Sequence, residues 1–358
     1  MELNKLFNSF YAGKKVLITG HTGFKGSWLS ILLHMLGADV FGFALDSPTK
    51  PSLYNLANLD SFVNSRIADI RNFNHLRDYV KKITPDIIIH MAAQPIVRES
   101  YISPRETYEI NVMGTVNIFE AVRQTDNVKV LLNVTTDKCY ENKEWTWGYR
   151  EIDRLNGHDP YSNSKSCSEL ITSSYTKSFF SNKKSSATAI ASARAGNVIG
   201  GGDWAEDRLI PDFIRSIIQN KKIIIRSPDA IRPWQYVLEP LTGYLMLCEK
   251  LFIEGDKYSG AWNFGPTDNE LKSVEWIAAT LCNLWGNNAG YIIQKENNYH
   301  EAGFLKLDCS KAKSKLFWQP KWKLEDALIS ICNWTHSFID QEDMLQICKK
   351  QIKDYYNK

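Results

Sequence analysis

The sequence predicts an α/β fold: a doubly wound parallel sheet followed by a smaller mixed α/β C-terminal lobe. Three observations carry this. Short apolar runs alternate with amphipathic segments from Lys15 to about Gly200. The first run, Val16-Leu17-Ile18, enters the glycine-spaced turn "TGHTGFKGSW". The run in "PDIIIHMAAQ" is apolar without interruption, as a strand covered on both faces must be.

Taken in order, Val16–Thr19 is a strand, the glycines turn it, and about Ser27–Leu36 is an apolar-periodic helix stopped by Gly37. A second strand covers about Asp39–Ala44, and strand, helix, strand in this order is the pattern of a right-handed crossover in a parallel sheet. "FVNSRIADIRN" then gives a short strand ending near Asp69, "NHLRDYVKKI" a helix, and "PDIIIHMAAQ" a central strand. A helix from about Tyr108 to Arg123, the strand "KVLLNVTTD", a long loop, a helix over about Tyr161–Phe180 and the strand in "SATAIASARAGNVIG" complete the alternation. After Gly200 short strands, helices and proline-marked turns mix, so the chain divides into residues 1–197 (core 14–197) and an interleaved lobe of residues 198–358.

Composition removes several function classes. With 44% hydrophobic and 23% charged residues over 358 positions, the chain is that of a folded globular protein. A net charge of +3 without a long basic run predicts no nucleic-acid and no membrane partner. The seven cysteines are odd in number, scattered and never spaced Cys-x-x-Cys, which predicts no disulfide framework and no structural metal. "MELNKLFNSFYAGKK" lacks the apolar core of a signal peptide, so a cytoplasmic location is expected.

A tight strand-to-helix turn without side chains lets a phosphate approach backbone N–H groups at a helix start. Gly20, His21, Gly23, Phe24, Lys25 and Gly26 are therefore the candidate dinucleotide loop, and Lys25 reads equally as a charge beside a phosphate or a lysine in water. Ala92, Ala93 and Gln94 end the central strand, where bulk would collide with a dinucleotide lying across the sheet edge. Tyr161 and Lys165 form Tyr-x-x-x-Lys on one helix face, after the strand that delivers Thr136. An ammonium beside a phenol lowers its pKa, leaving a base for a hydroxyl proton as hydride departs, and Thr136 would bond the same hydroxyl.

The Gly-x-x-Gly-x-x-Gly spacing resembles the extended short-chain dehydrogenase/reductase group. That resemblance implies NAD as cofactor and matches Asp69 and Ile70 to the adenine side, a strand-terminal turn acid being the plain alternative for Asp69. The sequence departs from the group at Ala44, where an acid usually holds the ribose, with Asp46 two residues further on; no arginine replaces it, which favours NAD over NADP. The blocks "HMAAQPIVRESY", "TTDKCYENKEWTWGYRE", "DPYSNSKSCSEL", "RAGNVIGGGDWAEDRLIPD" and "IRPWQYVLEPL" resemble, over nearly the whole chain, the nucleotide-sugar 4,6-dehydratases, and among them the branch acting on CDP-glucose. This implies oxidation at carbon 4 with Tyr161 as base, loss of water from carbons 5 and 6 with Asp137 as acid, and hydride return to carbon 6.

Lys138 stands where many such dehydratases carry glutamate; it takes the carbon 5 proton, acts through water, or stabilises an enolate. By the same resemblance Asn197 and Arg232 meet the substrate diphosphate, with His300 and Glu301 as further contacts, and the protein is a homodimer serving deoxysugar synthesis for a bacterial surface polysaccharide. Arg208, Arg215 and Arg226 read equally as further substrate contacts or as solvated surface charges. A dTDP- or UDP-sugar dehydratase is the nearest alternative. A 4-epimerase lacks the Asp137-Lys138 pair, and a silent dinucleotide sensor would not need Thr136, Tyr161 and Lys165.

Overall fold

Alternation along the strands sorts the apolar residues onto the two faces of one sheet. Leu17, Ile88, Leu131 and Ile190 face one cluster, while Val16, Ile18, Ile87, Ile89, Val130 and Leu132 face the other, so every central strand is covered on both sides. The strands are β1 (Lys15–Thr19), β2 (Asp39–Ala44), β3 (Asn64–Ile67), β4 (Ile87–His90), β5 (Val130–Val134), β6 (Ala189–Ala195) and β7 (Gly260–Phe264). They lie in the order β7-β6-β5-β4-β1-β2-β3 with every pairing parallel, and the order reverses between β1 and β4. The computed structural model describes residues 7–181, 188–286, 289–294 and 303–358.

Helix α1 (Phe24–Met35) starts three residues earlier than its apolar period suggests. Extended Gly23 is its N-cap and the Gly23 carbonyl accepts from Ser27 N at 2.8 Å, so the first helical turn lies inside the glycine motif. On the opposite face, α2 (Phe73–Ile83) and α3 (Gly114–Arg123) bury Leu76, Val80, Ile118, Phe119 and Val122. A helical turn at Pro104–Tyr108 and a π turn at Glu109–Met113 lead directly into α3.

Helix α4 (Pro160–Tyr175) begins where local chemistry dictates: the Asp159 carboxylate accepts from Ser162 N at 2.9 Å and Pro160 takes the first position, where its missing N–H costs nothing. That start puts Tyr161 in the first turn and Lys165 one turn later.

The C-terminal part contains α5 (Leu209–Ile218), α6 (Leu238–Glu254), α7 (Val274–Trp285), α8 (Leu324–Ile339) and α9 (Met344–Asn357). Residues 238–264 return to the central sheet: α6 packs on β5 and β6, and β7 pairs with β6 from Gly260↔Ala191 to Phe264↔Ala195. The segment "AWNF" thus supplies the seventh strand, and the division near residue 197 is crossed by the chain itself. What remains on the other side is held by two- and three-residue pairings, 198–199 with 235–236, 231–232 with 272–273, and 223–225 with 291–293.

Candidate active site

Two adjoining cavities open at the carboxyl ends of the strands. One, of 920 Å³, runs along the β1/β4 reversal and is lined by Gly20, Gly23, Phe24, Lys25, Gly26, Asp69, Ile70, Ala92 and Ala93, all foreseen from sequence. Ala44 and Asp46 line it as well. The other, of 310 Å³, is lined by Thr136, Asp137, Lys138, Tyr161, Asn197 and Arg232. Lys25 and Arg208 border both.

The larger cavity is shaped by backbone. Gly20 is left-handed at φ +77°, and a Cβ there would lie 2.8 Å from Ala92 N; at Gly26 a Cβ would stand 2.2 Å from the Gly20 carbonyl oxygen. Thr19 pins the facing strand: its oxygen accepts from Met91 N (3.1 Å) and Ala92 N (3.2 Å), which leaves its proton for His90 Nδ1 at 2.7 Å. Burial, helped by the Lys165 charge, lowers His90 to about 3, so the ring is neutral and accepts. This bare, fixed cradle at a helix start fits the pyrophosphate of a dinucleotide.

A Gly26→Ala substitution is expected to weaken NAD binding about 5- to 150-fold, since overpacking against backbone costs about 1–3 kcal/mol. Calorimetric titration with NAD, beside a thermal melt to separate folding from binding, checks this.

Two loop residues foreseen as cofactor contacts point elsewhere. The His21 ring is buried against Gly42 with Nε2 hydrogen-bonded to Ser65 Oγ at 2.7 Å, and burial lowers it to about 4. Gln94 holds its own loop, donating to Thr107 Oγ1 at 2.9 Å and accepting from Ile96 N. Asp69 is already engaged: hydrogen bonds from the Arg71 side chain at 2.6 and 2.9 Å hold its carboxyl below its ordinary value. Lys25 sits between the cavities, where burial, then the charges of Lys165 and Arg208, lower it to about 7 against the pull of Asp137 and Asp203.

In the smaller cavity Tyr161, Thr136 and Asp137 form one line of polar groups. The Thr136 hydroxyl donates to Asp137 Oδ1 at 3.0 Å, and Thr136 stands near enough to the Tyr161 hydroxyl to oppose the rise of its pKa. Asp137 Oδ2 is buried without a hydrogen-bond partner among the described residues, an acceptor or acid aimed at an incoming group. Burial pushes Asp137 up; Lys138, the Thr136 hydrogen bond and Arg232 pull it back, and burial wins. Burial also drives Tyr161 up to about 12, opposed by Thr136 and then by the Arg208 charge. Lys165 donates to the Val134 carbonyl at 3.4 Å; burial lowers it to about 8 against the pull of Glu169.

On the far side, Arg232 is buried and donates to the Ile231 carbonyl at 3.1 Å, and Arg208 pairs with Asp203 at 3.1 Å. The Asn197 carbonyl accepts from Gln235 N at 2.9 Å. His300 and Glu301 lie outside the described residues.

Sequence reasoning missed the groups that hold this line in place. Asn111, in the π turn, bonds the Gln94 loop through both N and O and donates to Ser164 of α4 at 2.9 Å. Glu169, one turn beyond Lys165, accepts from Thr135, Ser192 and Arg194. The i, i+4 spacing from Lys165 was the one available signal for Glu169.

A reversal-point cradle for a dinucleotide, opening onto a tyrosine, a threonine and a buried acid, defines a Rossmann-fold enzyme of dinucleotide-dependent chemistry with an acid–base pair added. Residues 17–330 match the family model described as GDP-mannose 4,6 dehydratase, and the chain belongs to that family of nucleotide-sugar dehydratases. It is 52% identical to the CDP-glucose 4,6-dehydratase of Salmonella typhimurium, over 97% of each chain.

Among solved structures, it shares its fold with a UDP-glucose 4-epimerase of Thermotoga maritima bound to UDP-glucose (TM-score 0.79, 20% identity, 90% of this chain and 99% of that one). It likewise shares it with a dTDP-glucose 4,6-dehydratase of Bacillus anthracis in complex with NAD (TM-score 0.74, 21% identity, 93% and 100%).

Proposed function

We propose that the protein converts CDP-glucose to CDP-4-keto-6-deoxyglucose and water, with NAD held in the larger cavity and regenerated within each turnover. The observation that carries this is the Tyr161–Thr136–Asp137 line, a base and a buried acid lining one cavity beside a dinucleotide cradle, the acid hydrogen-bonded to the threonine. The close CDP-glucose 4,6-dehydratase relative supports cytidine as the base.

NAD, when bound, supplies a hydride acceptor for carbon 4 and a hydride donor for carbon 6. Tyr161 accepts the carbon 4 hydroxyl proton; burial raises it to about 12, and Thr136 and then the Arg208 charge work against that rise. Lys165, one helical turn away and expected to lower the phenol, instead donates to the Val134 carbonyl and is not among the leading charges acting on Tyr161. The ketone acidifies carbon 5, and Lys138, lining the same cavity, is the base beside it. Burial raises the Asp137 carboxyl and so favours its acid form, whose free oxygen delivers the proton with which the carbon 6 hydroxyl leaves as water. Arg232 and Asn197 border the same cavity and hold the diphosphate end.

The reading extends to assembly. Exposed Met113 before α3, and Leu170 on α4 with Phe179 just beyond it, support pairing of two copies through these helices. Among the described residues no helix is long and apolar enough to cross a membrane, which supports a cytoplasmic enzyme.

The test uses CDP-, dTDP-, UDP- and GDP-glucose carrying deuterium on carbon 4. Deuterium on carbon 6 of a 4-keto product from CDP-glucose alone is the expected result. Turnover of another nucleotide sugar in its place would remove the cytidine assignment, and NAD binding without any product would leave a sensor.

A further inference from the structure

The mouth of the smaller cavity carries an ion cluster that the reaction scheme above does not use. Arg98, Asp207 and Arg226 all line it. Asp207 Oδ1 accepts from an Arg226 terminal nitrogen at 2.7 Å, and the same oxygen lies 3.6 Å from a terminal nitrogen of Arg98. The three come from different parts of the chain. Arg98 is on the short helix Val97–Ile102 that follows β4, so it belongs to the dinucleotide sheet. Arg226 follows the strand Ile223–Ile225, and Asp207 lies in the loop before α5. Asp207 reaches its position from a left-handed backbone, φ +59°, which a non-glycine residue seldom adopts and which surrounding structure must hold.

One carboxylate oxygen therefore serves two guanidinium groups from the two sides of a cavity that also holds Arg208 and Arg232. All three side chains are between a quarter and a third exposed, and pairs so placed contribute little. A diphosphate offers more charge and several oxygens in the forked geometry guanidinium prefers, so exchange of the carboxylate for it is downhill. A carboxylate left between the arginines would repel the same diphosphate.

We propose that Asp207 is an internal stand-in for substrate phosphate: it keeps Arg98 and Arg226 facing one another across the cavity mouth and yields them to the diphosphate of the entering nucleotide sugar. This rests on the reading of the substrate as a nucleoside diphosphate sugar, though not on its base. Arg98 and Arg226 are then substrate ligands, and the exchange draws the two sides of the cavity onto the sugar.

Inorganic pyrophosphate and CDP, titrated calorimetrically, are the probes. Asp207→Asn is expected to bind both about two- to fivefold more tightly, the gain from removing one partly exposed competing charge. Arg98→Gln combined with Arg226→Gln is expected to weaken both at least about tenfold and to erase the effect of Asp207→Asn. Thermal melts confirm that each variant is folded.

If Asp207→Asn weakens pyrophosphate as the arginine variants do, the carboxylate merely scaffolds the arginines and the proposal falls. It falls as well if the double arginine variant binds both probes like the parent. The expected pyrophosphate pattern without a preference for CDP over UDP or dTDP sustains the exchange while removing the cytidine reading.

Discussion

In an Asp137→Asn variant the 4-keto-6-deoxy product is expected to form about a hundred- to ten-thousand-fold more slowly, the loss that follows when a positioned general acid is removed. The first step should survive. Asparagine keeps the shape and the oxygen that accepts from Thr136, so that hydrogen bond and the placement of Tyr161 stay intact, and only the proton on the free oxygen is lost. Acid quench of the variant during turnover should therefore release CDP-4-ketoglucose, whereas Tyr161→Phe should yield neither this ketone nor product.

The pH dependence carries a matching signature. Burial raises Asp137, so the acid form persists above the ordinary carboxylate range, and turnover falls as pH rises through that raised value. The asparagine variant has no such proton to lose, and its residual rate should lack that limb. Unchanged product formation in the variant would mean that water leaves carbon 6 by another acid.

What could be read from the sequence was set by distance along the chain. The β1 turn, its glycines and the start of α4 at Asp159-Pro160 are local chemistry, and they stand where the residues put them. Thr136, Asp137 and Tyr161 were legible because a strand end and a helix start each deliver side chains at fixed spacing.

Residues 260–264 were not legible as a strand of the main sheet. Five residues carry no address, and β7 pairs with β6 across about sixty intervening residues. His21 and Gln94 sit in the right loops, yet their polar atoms were claimed by Ser65, Thr107 and Ile96, competitors that spacing cannot show. The cluster joins Arg98 to Asp207 and Arg226 more than a hundred residues later, and Arg226 alone reads equally as a substrate contact or a surface charge.

The second large effect is expected at Glu169 and Arg194. Both side chains are 3% exposed, and they meet at 2.8 Å. The carboxylate receives Thr135 and the Arg194 Nε on one oxygen, Ser192 and an Arg194 terminal nitrogen on the other, so its capacity is filled. Arg194 spends both protons of its other terminal nitrogen on the Tyr140 hydroxyl at 2.7 Å and the Glu151 carbonyl at 3.1 Å.

Removing one partner strands a buried charge, so Glu169→Leu or Arg194→Met is expected to cost about 3–5 kcal/mol of stability in denaturant titrations. The double variant should recover most of that, because burying an ion pair is costly and apolar side chains of similar size fill the space. The acid limb of stability should change with it. Burial raises the Glu169 pKa, but the Arg194 charge and the hydrogen bonds outweigh burial and hold it below 4.5. The stabilisation is therefore full above that ordinary value and is lost as pH falls through the depressed one, a dependence that Glu169→Leu removes.

Thr135 adjoins Thr136, and Glu169 is the charge that holds Lys165 up against burial. A double variant as stable as the parent is thus expected to remain impaired in turnover, with the alkaline limb of kcat moved to lower pH as Lys165 loses its proton sooner. Recovery of both stability and an unshifted pH profile would reduce the pair to packing alone.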